Sequence, residues 1–407
     1  MERFRDELEK RVKHNISYDT FVKCMKGTDI SPEIIKEIIE ERLKFNYSIM
    51  IPLAWNLKLK DTPRDVLLNE YIKDMDLSSF SNSWILEPKK EGSVRLATYN
   101  IHYWTDVFQS PNVQNILNVI KNIDADILAL QEALMPYGTE NKSSELSLLG
   151  HKDKIQYIPD TFVEDIPYTD RARSIYTTDR WHHKNIIDDI HTMGGFYHIA
   201  SSVASTTHAR DGTLFGNVLL SIKNLPMKSA IGLTLTPYIQ GRSATIVFYP
   251  KIKVVNSDQN GLIVVSVHLD VFDGTGKTRL SQIRELISYL ETDISENIRN
   301  VPIIIMGDMN SVKKEDYVQH EIDWLINNNQ GFALEFDTIA FMEKSGFKDV
   351  FDVQNRCAIK SSTWSARRID YIFTKGIPDT SILSTYVYYS DASDHIPLVV
   401  DIKMENI

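Results

Sequence analysis

The stretch "VPIIIMGDMNSV", Val301 to Val312, decides how the rest of the chain is read. Three consecutive isoleucines followed by a methionine form a short apolar run, the mark of a strand buried on both faces. The run ends in Gly307, then Asp308 and Asn310. Glycine, aspartate and asparagine are ordinary turn formers, so "GDMN" suits a plain turn. It suits equally a strand tip that holds out a carboxylate and an amide for chemistry. The surrounding segments choose between the two.

Other apolar runs repeat the pattern. "VRLATYN" closes on Asn100 and "ADILALQE" on Glu132, while "GLIVVSVHLD" carries His268. "RRIDYIFT" brings Asp370, and "SDASD" places Asp394 and then His395 at the head of "HIPLVVDI". Strands that each deliver a residue of catalytic type are how α/β folds build a site at a sheet edge, because rigid strands fix position. Between the strands, "SPNVQNILNVIKNI" sets Val113, Ile116, Leu117 and Ile120 on one helical face. "TRLSQIRELISYLETDI" does the same with Leu280, Ile283, Leu286, Ile287 and Leu290. Strands alternating with helices predict an α/β domain with helices packed on sheet faces.

Outward from this domain the character of the chain changes. Residues 1–77 read as a helical accessory or docking region: Ser31 then Pro32, and Thr62 then Pro63, are cap-and-proline helix starts. Its helices are expected to dock a protein partner. Residues 78–93, rich in Ser and closing in Pro, Lys and Gly, read as a linker. The catalytic domain then spans 94–405, interrupted by a polar insertion at about 136–195. His182, His183 and His191 lie in that insertion, where no carboxylate or cysteine completes a metal site, so they read as surface histidines.

The totals bound the function. A chain of 407 residues accommodates one large domain and a smaller one. The net charge of −10 argues against a bulk electrostatic grip on nucleic acid and leaves room for a local basic groove. Only two cysteines occur, Cys24 and Cys357, without metal-type spacing, which fits a reducing compartment. The N-terminus "MERFRDELEKRVKH" is densely charged and lacks the apolar core of a secretion signal. An intracellular protein, cytoplasmic or nuclear and without a membrane span, is expected.

The residue types at the strand ends narrow the chemistry. There is no G-x-S-x-G elbow and no cysteine beside a histidine, so acyl chemistry has no visible nucleophile. No P-loop or dinucleotide fingerprint occurs. What remains is oxygen-rich: Asn100, Glu132, Asp308, Asn310 and Asp394. Such oxygens suit a hard cation, Mg²⁺ or Mn²⁺, which bridges to substrate phosphates. Histidines beside it can stabilise phosphoryl oxygens or protonate a leaving group, and Asp370 can fix an imidazole tautomer. Together they make sense as water attacking a phosphate ester.

Taken in order, "TYNIH", "ILALQEA", "FGNVLLS", "VVSVHLD", "IIIMGDMNS", "RRIDYIF" and "SDASDHIPL" resemble the successive motifs of the endonuclease/exonuclease/phosphatase superfamily, the DNase I-like enzymes. The resemblance runs from Val94 to Ile402, the insertion excepted. It implies a four-layer α/β sandwich, two mixed β-sheets face to face with helices outside. It also implies Glu132 as direct metal ligand with Asn100 beside it, and Asp394 in the metal environment. Asp308 would orient and deprotonate the attacking water, and Asn310 would help hold the scissile phosphate. His395, oriented by Asp370, would stabilise the transition state, with His268 as the second histidine. Asn217 in "FGNVLLS" matches a substrate-side asparagine in some branches. Arg279 suits either a phosphate contact or a solvated helix position, and Arg242, Arg367 and Arg368 are equally open. The first motif carries His102 where many nuclease branches have Asp or Asn, so one ion is expected rather than two.

The function expected is a divalent-metal-dependent phosphodiesterase acting on nucleic acid or a nucleic-acid adduct. The alternative is a phosphatase or phospholipase-type hydrolase of inositol phosphates or sphingomyelin-like lipids. "STWSARRIDYI" keeps a Trp and an Arg but lacks the inositol-phosphatase signature, and "DYIF" with "SDHIPL" is closer to the deadenylase and phosphodiesterase branches. An inactive binding scaffold is disfavoured, since Glu132, Asp308, Asn310 and His395 are all retained.

Overall fold

The computed structural model describes residues 88–105, 112–136, 155–158, 195–205, 213–255, 259–294, 296–316, 322, 334–353, 367–388, 390 and 392–405. The N-terminal helical region, most of the linker, and His182, His183 and His191 of the insertion lie outside the described residues. The strands are β1 (Ser93–Asn100), β2 (Ile127–Pro136), β3 (Ile155–Ile158), β4 (Phe196–Ser205), β5 (Thr213–Ile222), β6 (Ser229–Leu235) and β7 (Arg242–Tyr249). They continue as β8 (Lys253–Val254), β9 (Leu262–His268), β10 (Ile303–Asp308), β11 (Lys348–Asp349), β12 (Asp370–Lys375), β13 (Ile382–Val387) and β14 (Leu398–Glu405). The α-helices are α1 (Val113–Ile123), α2 (Lys277–Ser288), α3 (Asp337–Lys344) and the single turn α4 (Val350–Val353).

The strands form two seven-stranded sheets. One runs β13-β14-β1-β2-β5-β4, with β8 paired to β14; the other runs β11-β12-β10-β9-β7-β6-β3. Each is mixed: β1 with β2, and β9 with β10, are parallel, and the other pairings are antiparallel. β3 falls within the polar insertion and extends the second sheet by pairing with β6.

The near-continuous apolar character of the central strands follows from burial of both faces. In β1, Val94 and Leu96 turn inward to meet Val264 of β9, Ile304 and Met306 of β10 and Ile372 of β12. Ala97 and Tyr99 face the other way, onto Ile116, Leu117 and Ile120 of α1. In the second sheet Ile263, Val265, Ile305 and Phe373 face outward onto Ile283, Leu286 and Ile287 of α2 and Ile339 and Met342 of α3. Helix, sheet, sheet, helix: this is the four-layer sandwich expected. A buried ion pair fastens β1 to its neighbour, Arg95 Nε and Nη2 lying 2.7 and 2.9 Å from Asp401 of β14.

Candidate active site

Strand register builds one half of the site. Asp308, at the end of β10, pairs with His268 of β9 on one side and Asp370 of β12 on the other, giving a single row across three strands. Gly307 precedes it at φ +145°, and a Cβ there would sit 1.9 Å from the Val267 carbonyl oxygen. Only glycine lets β10 lie this close to β9 in that conformation. The glycine of "GDMN" therefore serves the approach of two strands, and the plain turn is excluded.

The other sheet supplies the second half. Asn100 closes β1, and Glu132 sits where the β2–β5 register shifts between Leu130 and Ala133, a bulge that re-aims its side chain. Glu132 has φ 54° and Asn310 has φ 46°, the left-handed region that non-glycine residues avoid. Such strain persists where surrounding structure imposes it. The Asn100 amide joins the sheets, Nδ2 donating to Glu132 Oε1 at 3.2 Å and to Asp308 Oδ2 at 3.0 Å. Its Oδ1 accepts the His102 N–H at 3.1 Å, at the start of a left-handed turn through His102, Tyr103 and Trp104. The His102 ring stands 3.7 Å from Asp394.

Two histidines converge on the same Asp308 oxygen. His395 Nδ1 lies 2.8 Å from Asp370 Oδ2, and its Nε2 is 3.7 Å from Asp308 and 4.0 Å from Asp394. The loop carrying it is tied down by Ser393, whose hydroxyl donates to the Asn100 carbonyl at 2.8 Å. His268 Nε2 lies 3.5 Å from Asp308 and 4.0 Å from Glu132. Their environments push the two rings apart. Burial would lower His395, but the charges of Asp370, Asp394 and Asp308 prevail and raise it to about 10. Burial takes His268 well below the usual histidine range, and the nearby Arg242 and His395 lower it further. At neutral pH one ring is a cation and the other is neutral. Burial likewise raises Glu132, and it lifts Asp308 to about 7, with the charge of Asp370 adding to the effect.

Arg242, left open by its sequence context, stands at this cluster. It is buried at the start of β7, and its Nε donates to the Leu269 carbonyl at 3.0 Å. The same carbonyl accepts Asn310 Nδ2 at 3.0 Å, so guanidinium and amide lie side by side. Nη1 donates to Gln240 and Gly241; among the described residues Nη2 donates to none. No sequence signal marks Arg242, because the carbonyl that aims it lies 27 residues away.

The remaining candidates lie differently. Asn217 is buried between the sheets, its amide donating to the Ser243 carbonyl at 2.6 Å, next to Arg242 rather than within the Asp308 cluster. Arg279 is buried in α2, with Nε 3.4 Å from Glu335 and Nη1 3.1 Å from the Asp270 carbonyl, contacts that pin the helix to the segment before α3 and to the loop after β9. Arg368 is buried between Asp349 and Asp316 over the Tyr371 ring, a structural cluster. Arg367 is also buried.

The donor set fits a cation. Glu132 Oε2 is buried with no hydrogen-bond partner among the described residues, and two carboxylates raised by burial face each other across Asn100. Asp308, Asp370 and His395 also offer ligand atoms within 4.8 Å of one another. In that trio His395 Nδ1 and Asp370 Oδ2 already engage each other, which leaves fewer ligand atoms for an ion.

Residues 109–395 match the sequence model of the Endonuclease/Exonuclease/phosphatase family. The chain belongs to that family. It is a family of hydrolases acting on phosphoric esters, whose members typically use a divalent metal. No curated protein matches the sequence. Among solved structures, an endonuclease/exonuclease/phosphatase from Beutenbergia cavernae is 16% identical over 77% of this chain and 72% of its own, with TM-score 0.49. The human Nocturnin catalytic domain with bound sulfate is 14% identical over 77% and 94%, with TM-score 0.45. Truncated Caenorhabditis elegans TDP2 is 14% identical over 78% and 100%, with TM-score 0.44. No helix among the described residues is long and apolar enough to cross a membrane.

Proposed function

We propose that this family member is a divalent-metal-dependent phosphodiesterase that hydrolyses a phosphodiester in nucleic acid or a nucleic-acid adduct. The observation that carries the reading is the convergence on Asp308 Oδ2 of Asn100, His268 and His395, drawn from both sheets. A buried carboxylate raised by its surroundings is a general base suited to neutral pH. In the proposed reaction Asp308 accepts a proton from water attacking phosphorus in line with the leaving oxygen. His395, kept cationic and oriented by Asp370, faces the phosphoryl oxygens, where charge accumulates. Neutral His268 lends a second ring nitrogen to the same face. The second amide N–H of Asn310 and Nη2 of Arg242, both hung from the Leu269 carbonyl, hold the substrate phosphate.

Glu132, Asn100 and Asp394 would hold the cation, one ion of Mg²⁺ or Mn²⁺. When bound it supplies Lewis-acid polarisation of a phosphoryl oxygen. Side-by-side assays of a phosphodiester and a phosphomonoester, with Mg²⁺ and then with chelator, test the whole reading. Turnover of the diester that ends on chelation is expected. Turnover of the monoester or of a lipid headgroup alone would replace it with the phosphatase or phospholipase reading.

A further inference from the structure

Among the described residues, the exposed large hydrophobic side chains are Tyr238, Ile239 and Phe272, at 56%, 72% and 48%. Single exposed apolar residues need no explanation, but these three share one neighbourhood. Tyr238 and Ile239 lie on the β6–β7 loop and Phe272 on the loop after β9, and the two loops meet at Arg242. Gln240 of the first accepts Arg242 Nη1 at 2.6 Å, and Leu269 at the root of the second accepts Nε. The guanidinium carbon stands 6.0 Å from the Phe272 ring centre and 5.7 Å from that of Phe215. Phe215 in turn meets Tyr103 in a stack at 5.3 Å and the His268 ring edge-on at 6.1 Å. An aromatic track thus leads from the reacting centre out to a half-exposed phenylalanine backed by a buried cation.

Resting on the phosphodiesterase reading, we propose that Phe272 is a stacking platform for an unpaired nucleobase attached to the scissile phosphate. The flanking Tyr238 and Ile239 extend the apolar edge of this subsite. The chemistry selects the ligand. A guanidinium beside the ring favours a phosphate close by, and an open aromatic face favours a flat partner bonded to that phosphate. The chain's net charge of −10 leaves little bulk attraction for a polyanion, so contact is made locally, by one cation and by stacking. A base held in a duplex keeps its faces covered, so the substrate presents a single-stranded segment or a frayed end.

The test separates stacking from catalysis. A single-stranded pentadeoxynucleotide carrying 2-aminopurine is bound in chelator, so that no turnover occurs, and its fluorescence is followed. Wild type is expected to quench the probe; Phe272→Ala is expected to lose the quench and bind about tenfold more weakly. Phe272→Trp is expected to restore both. In parallel, kcat/KM is compared for thymidine 5′-p-nitrophenyl phosphate and methyl p-nitrophenyl phosphate. Phe272→Ala is expected to lower it on the nucleoside ester alone, through KM. No quench with wild type, or equal loss on both esters, overturns the stacking subsite while the diesterase reading stands. No turnover of either ester by wild type overturns the reading beneath it.

Discussion

Asp308 shows how much a single side chain draws from its neighbours. One oxygen receives the Asn100 amide and faces two imidazoles, while the other accepts the Asn310 N–H at 2.9 Å. A positioned base contributes about 10²–10⁴-fold, so Asp308→Ala should lower kcat by at least that range in steady-state assays. Its circular dichroism should match wild type, and retention of most activity would remove Asp308 from the role of base. The types and order of Asn100, Glu132, Asp308, Asn310, Asp370 and His395 were legible in the sequence because each sits at the end of an apolar run. Arg242 was not. A strand-initial arginine looks the same whether it faces solvent or a carbonyl brought close by folding, and only the approach of Leu269 distinguishes the cases. The left-handed backbone of Glu132 and Asn310 was equally hidden, since neither residue type announces it.

Elements set these side chains to within a hydrogen bond, and two of them expose the setting to test. Gly307→Ala puts a methyl against the Val267 carbonyl in a backbone region costing about 1–3 kcal/mol for a side chain. Thermal unfolding should show at least that loss, and activity should fall with it as Asp308 shifts. An unchanged melting temperature would mean β10 does not pack on β9 as described. The second test lies at α2, whose N-cap Gly276 offers no side chain. Asp273 takes over, accepting from the Thr275 N–H and hydroxyl and the Thr278 N–H at 2.7–2.8 Å. Burial alone would raise its pKa, but these hydrogen bonds outweigh it and hold the carboxyl well below the ordinary 3.8. A depressed folded value means stabilisation that is complete above 3.8 and lost as pH falls below it. Asp273→Asn should therefore cost about 1 kcal/mol at pH 7 and progressively less below pH 4, read by urea unfolding across pH. A penalty independent of pH would contradict the assignment. Strands β4 and β7 are harder to read from sequence. The Ser202 hydroxyl of β4 shares hydrogen bonds of 2.8 Å with those of Ser243 and Thr245 of β7 between the sheets, so polar residues occupy a core face and blur the period.

At the scale of the whole molecule, two sheets of similar design face each other, and each brings half of the site. β1 and β2 deliver Asn100 and Glu132; β9, β10 and β12 deliver His268, Asp308 and Asp370. The four layers were legible because apolar runs on the central strands and one-sided helices admit few other packings. Which strands neighbour which was not, since the order in each sheet depends on contacts far apart in sequence. In the proposed enzyme both halves enclose one hard cation at the buried Glu132 oxygen that has no hydrogen-bond partner among the described residues. Titration with Mn²⁺ followed by electron paramagnetic resonance measures this directly. One Mn²⁺ per chain, displaced by Mg²⁺ and lost in Glu132→Gln, is the result predicted; binding that survives Glu132→Gln unchanged, or no binding at all, would contradict it.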